Sequence, residues 1–214
     1  MLQRLLESVI PANLSAYYDA IAGRSERGFQ RTSGYIHPHQ VARFKRVLEI
    51  VRGYAPATII EAGCADGMMT AQLAEIARWV WAFDISPAMI AACPVLPNVH
   101  YEMLDVEGAP FADDVDLIVC CEVLEHVRHP QCVVRRICER ASVAVFTAPV
   151  TEPSNPDAFN LGLYRCEQKA GDASGHIWAW DMDGFLSLFA GQNVVLAEQV
   201  GVSGLVVVQC AQEG

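Results

Sequence analysis

Residues 57–67 read ATIIEAGCADG, the segment that is most informative about the fold of the chain. Its first half is a short apolar strand, and its second half, from Glu61 to Gly67, is rich in small residues where a helix should begin. Small residues let the backbone pass close to a ligand. Open α/β sheets bind their ligands at the carboxyl ends of the strands. The stretch therefore predicts a strand, a ligand-binding turn and a helix, in that order.

The alternation of strand and helix continues on the C-terminal side of this stretch. The apolar segments WVWAFD, NVHYEML, VDLIVCC and SVAVFTAP predict four further strands, with helices between most of them. A continuous apolar strand covered by helices belongs in a parallel sheet. The last segments, NVVLAEQV and SGLVVVQCA, predict a hairpin joined by residues 201–204. We predict an α/β fold: a Rossmann-like, seven-stranded, mostly parallel sheet with helices on both faces, a C-terminal antiparallel hairpin and an N-terminal helical cap.

The chain length favours a single domain over residues 1–214. Residues 1–52 read as the helical cap and end in the periodic stretch HQVARFKRVLEIV. Residues 149–180 contain several Pro and Gly without a clear period, which predicts a lid inserted before a helix whose N-cap is Asp181. The helical face of the periodic stretch is expected to comprise Val41, Phe44, Val47, Leu48 and Val51.

Composition narrows the class of partner. The formal net charge is −10, and no cluster of Lys and Arg is large enough to grip a phosphate backbone, so a small-molecule acceptor is favoured over a nucleic acid. The apolar runs are too short to cross a bilayer. None of the eight cysteines forms a CxxC pair, so they read as free, small hydrophobic residues of a reduced, cytoplasmic protein. A homodimer is compatible with this composition.

The turn after the first strand resembles a known cofactor motif. EAGCADG is similar to motif I of class I S-adenosylmethionine-dependent methyltransferases, an acidic residue followed by GxGxG, with Ala65 in place of the middle Gly. That replacement is mild if Ala65 has a negative φ. A nicotinamide-dinucleotide fingerprint would require a third glycine at position 68, which is Met68. The resemblance implies that the cofactor is S-adenosyl-L-methionine and that it is bound here by Glu61, Gly63, Cys64, Ala65 and Gly67.

Acidic residues follow the next two predicted strands. A carboxylate at Asp84 can accept both hydrogen bonds of a ribose diol, and Ile85 beside it can cover an adenine face. Asp105 and Val106 match the family position that meets the adenine amino group. A turn residue is an equally good interpretation of Asp105.

The stretch EVLEH, from Glu122 to His126, follows the fourth predicted strand. On a helical turn, Glu122, Glu125 and His126 would share one face. They could brace the lid, or His126 could be a general base oriented by a Glu. In a third interpretation, Glu122, Glu125 and His126 bind a divalent metal together with His176 from GHIWAWD.

Together, EVLEH and GHIWAWD are similar to the Hen1-type small-RNA 2′-O-methyltransferases, in which two Glu and two His hold a metal. That resemblance implies the ligands Glu122, Glu125, His126 and His176, and a mixed oxygen and nitrogen set suits Mg, Mn or Zn. The family's TPN-type stretch is replaced here by TAPVT. The second segment also resembles that of many small-molecule methyltransferases whose His lines the active site without a metal.

These patterns favour an O-methyltransferase acting on a small hydroxylated metabolite such as a sugar. A hydroxyl must lose its proton as the methyl arrives, which explains catalytic roles for His126, His176 and Glu122, the last of which would also border the cofactor. A Hen1-like RNA 2′-O-methyltransferase, a non-catalytic cofactor-binding subunit and a nicotinamide oxidoreductase are the alternatives.

Overall fold

The structure is a computed structural model that describes residues 38–111, 115–150 and 178–210. Within these residues, helices and strands alternate along the chain as the apolar pattern predicts. In chain order they are α1 (Pro38–Tyr54), β1 (Thr58–Ala62), α2 (Met68–Leu73), β2 (Trp79–Asp84), α3 (Pro87–Ala92), β3 (Val99–Met103), β4 (Val115–Cys121), a 3₁₀ turn (Leu124–His126), α4 (Pro130–Cys138), β5 (Ala141–Pro149), α5 (Met182–Ser187), β6 (Val194–Val200) and β7 (Ser203–Gln209).

The strands form one seven-stranded sheet in the order β3-β2-β1-β4-β5-β7-β6. The pairs among β1 to β5 are parallel, and β7 is antiparallel to both β5 and β6. The predicted Rossmann-like sheet and its terminal hairpin are confirmed. Because the chain order reverses between β1 and β4, the carboxyl ends of these two strands open a crevice, which is where such sheets bind ligands.

Two apolar clusters cover the two faces of the sheet. One contains Phe83, Phe146 and Phe185 and is covered by α4 and α5. The other contains Val47 and Val51 of α1 and Leu73 of α2. The central strand β4 is buried on both faces, which explains why VDLIVCC is apolar without alternation.

Some element boundaries differ from the prediction. The hairpin connection is shorter than expected, because Ser203 and Gly204 already pair with β6 and β5. Helix α2 is shorter than the pattern DGMMTAQLAEIA suggests and ends in turns that lead to β2. Asp181 is the N-cap of α5, as predicted, since its side chain accepts a hydrogen bond of 2.7 Å from the Gly184 amide.

Parts of two predicted segments lie outside the described residues. These are residues 1–37 of the predicted cap and residues 151–177 of the predicted lid, so the assignments of a cap, a lid and a single domain stay predictions. Helix α1 buries Val47, Leu48 and Val51 of its predicted face. In the part of the chain that the structure describes, no helix is long and apolar enough to cross a membrane.

Candidate functional site

The turn after β1 has an unusual backbone. Gly63, Ala65 and Gly67 all have positive φ, at 81°, 46° and 77°. Only Gly adopts this region without cost, so the condition under which Ala65 would be a mild replacement, a negative φ, is not met. The Gly63 and Cys64 amides both donate to the Phe83 carbonyl at 2.9 Å, which holds the turn against the end of β2.

Gly63 sits where the turn meets the segment after β4. A Cβ at this position would lie 2.3 Å from Cγ2 of Val123. No side chain fits in that space. The glycine therefore lets the motif I turn pack directly against the EVLEH segment.

Glu61 lies beneath the turn and is only 4% exposed. Its Oε2 accepts a hydrogen bond of 2.5 Å from the Thr70 hydroxyl, which ties β1 to α2. Burial raises the pKa of Glu61 to about 8, although the Thr70 hydrogen bond acts in the opposite direction. Among the described residues this carboxyl contacts Thr70 of α2. Its predicted contact with the cofactor stays a prediction.

Asp84 lies at the tip of β2, on the other side of β1 from β4. Its Oδ2 accepts a hydrogen bond of 3.0 Å from the Ala65 amide, and its Oδ1 accepts one of 2.9 Å from the Ser86 amide. These two donors fix the carboxylate beside the motif I turn. Half-buried Ile85 follows it, and Ser86 caps α3 by accepting from the Met89 amide at 3.2 Å.

Asp105 and Val106 follow β3. The Asp105 Oδ1 accepts a hydrogen bond of 2.9 Å from the Glu107 amide, which is the contact expected of a turn residue. Val106 is buried in the cluster around Phe83. The Glu107 contact thus supports the interpretation of Asp105 as a turn residue. Its contact with an adenine stays a prediction.

Glu122 and Glu125 do not share a helical face. Glu122 has a φ of 55° and precedes the 3₁₀ turn, so the prediction of one helical turn for Glu122, Glu125 and His126 is wrong. The physical reason is a hydrogen bond of 2.8 Å from the Glu122 amide to the Thr147 carbonyl of β5. The Thr147 hydroxyl also donates to Oε1 of Glu122 at 2.9 Å.

Arg43 of α1 completes this arrangement. Its Nη1 lies 2.9 Å from Oε2 of Glu122, and the two side chains are 9% and 23% exposed. The Nε of Arg43 is buried and has no hydrogen-bond partner among the described residues. Sequence reasoning missed this residue, because one Arg within a periodic helix reads as part of its solvent-facing side. Its burial depends on a partner far away in the sequence.

Glu125 and His126 lie side by side in the 3₁₀ turn. Glu125 is 1% exposed, and neither carboxyl oxygen has a hydrogen-bond partner in the described ranges. Burial first, and then the charge of Glu122, raises the pKa of Glu125 well above its ordinary value. Nε2 of His126 lies 3.7 Å from Oε1 of Glu125, and its side chain is 20% exposed. A buried carboxyl with a raised pKa therefore lies beside a histidine that solvent can reach.

The metal hypothesis has no support in the described residues. Across residues 38–111, 115–150 and 178–210, no group of three or more His, Cys, Asp or Glu side chains is placed to hold a metal ion. Glu122 instead binds Arg43 and Thr147. His176, the fourth predicted ligand and a predicted catalytic residue, lies outside the described residues.

The end of the predicted lid contacts the EVLEH segment. The Trp178 amide donates to the Glu125 carbonyl at 3.1 Å, and its indole Nε1 donates to the Val127 carbonyl at 2.8 Å. The ring stacks on Trp180 with centroids 6.2 Å apart. The chain that leaves the predicted lid is thus held beside Glu125 and His126.

Comparisons with known proteins identify the family of the chain. A family model described as a methyltransferase domain matches residues 35–199. The chain belongs to this methyltransferase family. The ubiquinone biosynthesis O-methyltransferase of Xanthomonas axonopodis pv. citri (strain 306) is 28% identical over 88 residues, which cover 38% of this chain and 37% of that protein. The match therefore spans less than half the length of this curated relative.

Solved structures of methyltransferases share the fold. Magnesium protoporphyrin IX methyltransferase from Synechocystis PCC 6803, with bound S-adenosylhomocysteine, is 12% identical with a TM-score of 0.71, and the match covers 92% of this chain and 98% of that one. The N-methyltransferase NodS from Bradyrhizobium japonicum WM9 is 15% identical with a TM-score of 0.68, covering 91% and 98%. At these identities the likeness establishes the class I methyltransferase fold.

Proposed function

We propose that this methyltransferase uses S-adenosylmethionine to methylate a hydroxyl group of a small acceptor. The observation that carries the proposal is the placement of Asp84 and of the Glu125–His126 pair on opposite sides of the motif I turn. The β2 and β4 strands that lead to them flank β1 in the sheet. A ligand lying over the turn would have one end at Asp84 and its other end near His126.

The polar groups around the motif I turn suit S-adenosylmethionine. The Asp84 carboxylate accepts hydrogen bonds, as a ribose diol requires. Arg43 offers a largely buried guanidinium, which pairs well with a carboxylate such as that of the methionine part. The positive-φ turn between them carries no side chain larger than that of Cys64 or Asp66 along its backbone. We assign Asp84, Ile85 and the turn from Gly63 to Gly67 to the cofactor.

The bound cofactor supplies a methyl group on a positively charged sulfur, which is already electrophilic. The task of the protein is to hold an acceptor oxygen in line with that methyl and to remove its proton. His126 is the described group suited to this, because its imidazole is partly exposed and its Nε2 faces Glu125. The buried Glu125 carboxyl lies 3.7 Å from the ring, and the Trp178 amide holds the Glu125 backbone in place.

The proposed class of methyl acceptor rests on the chemistry of the Glu125–His126 pair. A neutral amine is a nucleophile without a base, whereas a hydroxyl needs one. The name of the curated relatives, ubiquinone biosynthesis O-methyltransferase, favours an oxygen acceptor as well. We therefore propose small hydroxylated molecules, sugars and phenols included, as the substrate class. The acidic composition supports a small molecule over RNA.

The test is transfer of a labelled methyl group from S-adenosylmethionine to a panel of sugar, phenol and amine acceptors. We expect turnover on a hydroxyl acceptor. His126→Ala should lower kcat by about 100-fold or more, the size of a general-base contribution. The matched control is His129→Ala, since His129 is exposed and precedes α4, and its kcat should match the unmodified protein. Turnover on amines alone, or an unaffected His126→Ala variant, would refute the proposal.

A further inference from the structure

Two cysteines lie against the same carbonyl in the motif I turn. Cys64 follows Gly63 in the turn, and Cys93 ends helix α3. The Cys93 Sγ lies 3.4 Å from the Ala65 carbonyl oxygen, and the Cys64 Sγ lies 3.8 Å from the same oxygen. The Cys93 thiol also has the largest influence on the pKa of the Cys64 thiol, which it raises. Both side chains therefore touch the part of the turn that we assign to the cofactor.

The two thiols differ in their access to solvent. Cys64 is 4% exposed, whereas Cys93 is half-buried. The neighbouring Cys93, and then burial, raise the pKa of the Cys64 thiol. The thiolate is the reactive form of cysteine. A solution oxidant should therefore meet Cys93 first, with Cys64 as the resolving partner beneath it.

We propose that Cys64 and Cys93 form a reversible disulfide that lowers the affinity of the motif I turn for its cofactor. The oxidant is a peroxide. The Cys93 thiolate attacks it and becomes a sulfenic acid as the peroxide is reduced to water. The Cys64 thiol then displaces the sulfenic oxygen as a second water, and the S–S bond forms with loss of both thiol protons. A dithiol reductant reverses the reaction by thiol–disulfide exchange.

Oxidation would disturb the turn in two ways. A disulfide has no S–H group, so the Ala65 carbonyl loses both of its sulfur donors. The two sulfurs must also approach each other to about 2.05 Å, which moves the turn relative to α3. This movement would disturb the contacts that hold the turn, because the Ala65 amide is bound to Asp84, and a Cβ at Gly67 would lie 3.1 Å from the Cys93 Sγ.

A second thiol pair provides an internal control. Cys138 and Cys210 are both buried, and Cys210 raises the pKa of the Cys138 thiol. They belong to the cluster around Phe146, at the amino-terminal end of β5 and past the end of β7. A disulfide there would lie away from the motif I turn. It should leave cofactor affinity unchanged.

The experiment compares S-adenosylhomocysteine binding by calorimetry before and after treatment of the full chain with hydrogen peroxide. Peptide mapping under non-reducing conditions identifies the linked cysteines. We expect a Cys64–Cys93 linkage, a loss of affinity of tenfold or more, and recovery within twofold after dithiothreitol. Cys93→Ser, whose hydroxyl can still donate to the Ala65 carbonyl, should keep its affinity in peroxide. Cys138→Ser should lose affinity as the unmodified protein does.

The disulfide proposal rests on the proposed cofactor site. Binding measurements on the reduced protein distinguish the failure of one proposal from the failure of the other. If reduced protein does not bind S-adenosylhomocysteine, the proposed function fails, and this inference fails with it. If reduced protein binds and peroxide yields no Cys64–Cys93 linkage, or a linkage with unchanged affinity, only the disulfide proposal is overturned. An equal loss of affinity in Cys93→Ser would overturn it as well. Cys93→Ala replaces Cys93→Ser should the serine variant fail to fold.

Discussion

The Glu61 carboxyl is buried, and burial disfavours its charged form. Its pKa is raised to about 8, so between about pH 5 and pH 8 the native protein keeps a proton that the unfolded chain has released. Since the native state then binds more protons, the free energy of unfolding should fall as the pH rises through this range. The slope from one such group is at most about 1.4 kcal/mol per pH unit.

Glu61→Gln should reduce this slope while its amide oxygen still accepts from Thr70. Urea unfolding at pH 5, 6, 7 and 8 measures the effect. Glu75→Gln, at an exposed position, is the matched control and should keep the original slope. The buried Glu125 adds a slope of the same sign in all three proteins, so the differences report Glu61. Equal slopes for Glu61→Gln and the unmodified protein would contradict this account.

At the scale of single residues, the sequence predicts where the candidate site lies but not the backbone conformation of its residues. The order of small and acidic residues places Asp84 and the turn at the sheet edge, where the structure has them. The positive φ of Ala65 and Glu122 was not predictable, because neighbouring strands impose it through hydrogen bonds to Asp84 and Thr147. Propensity favours other conformations for both residue types.

Two elements meet at Gly63, the motif I turn and the segment after β4. Gly63→Ala would place a Cβ 2.3 Å from Val123 and would impose a positive φ on a residue with a side chain. We expect a loss of about 1–3 kcal/mol in the free energy of unfolding, as for other overpacked positions. Adding Val123→Ala should recover the part caused by the clash and leave the part caused by φ.

Gly53→Ala is the matched control for this prediction. Nothing lies within 4 Å of a Cβ at Gly53, which is in helix α1. Replacing a helical Gly by Ala is stabilising by about 0.5–1 kcal/mol. Urea unfolding of the variants gives the comparison. A Gly63→Ala protein as stable as Gly53→Ala would show that the two elements are not packed as described.

At the scale of elements, the sequence predicts strands better than the ends of helices. β4 matches VDLIVCC residue for residue, because a strand buried on both faces has a continuous apolar run. Helix α2 is shorter than its pattern, since apolar residues after its end, such as Ala77, are buried in turns. The spacing of apolar residues indicates which residues are buried. Residues beyond the end of a helix can also be buried, so this spacing does not show where the helix ends.

The whole molecule depends on contacts between segments far apart in the sequence, and Arg43 is the clearest case. Arg43→Met would leave Glu122 largely buried beside Thr147 without its cation. We expect the free energy of unfolding to fall by about 1–3 kcal/mol, and S-adenosylhomocysteine affinity to fall with it. Arg52→Met, on the exposed side of the same helix, is the control and should change neither quantity.

The double variant Arg43→Met with Glu122→Gln distinguishes pairing from packing. If the ion pair carries the effect, the double variant should lose less stability than the two single variants together. Strict additivity would mean that the pair is not coupled. No pattern in the sequence points to this contact, because the two side chains meet only once α1 has packed on the sheet.

We propose that the carboxyl edge of β1, β2 and β4 binds the methyl-donating cofactor. Calorimetric titration of S-adenosylhomocysteine into the reduced protein, its Asp84→Ala variant and the exposed-site control Asp183→Ala tests it directly. The account predicts binding to the unmodified protein and to Asp183→Ala with the same affinity, and binding at least tenfold weaker to Asp84→Ala. Absence of binding to the unmodified protein, or equal affinity in all three, would contradict it.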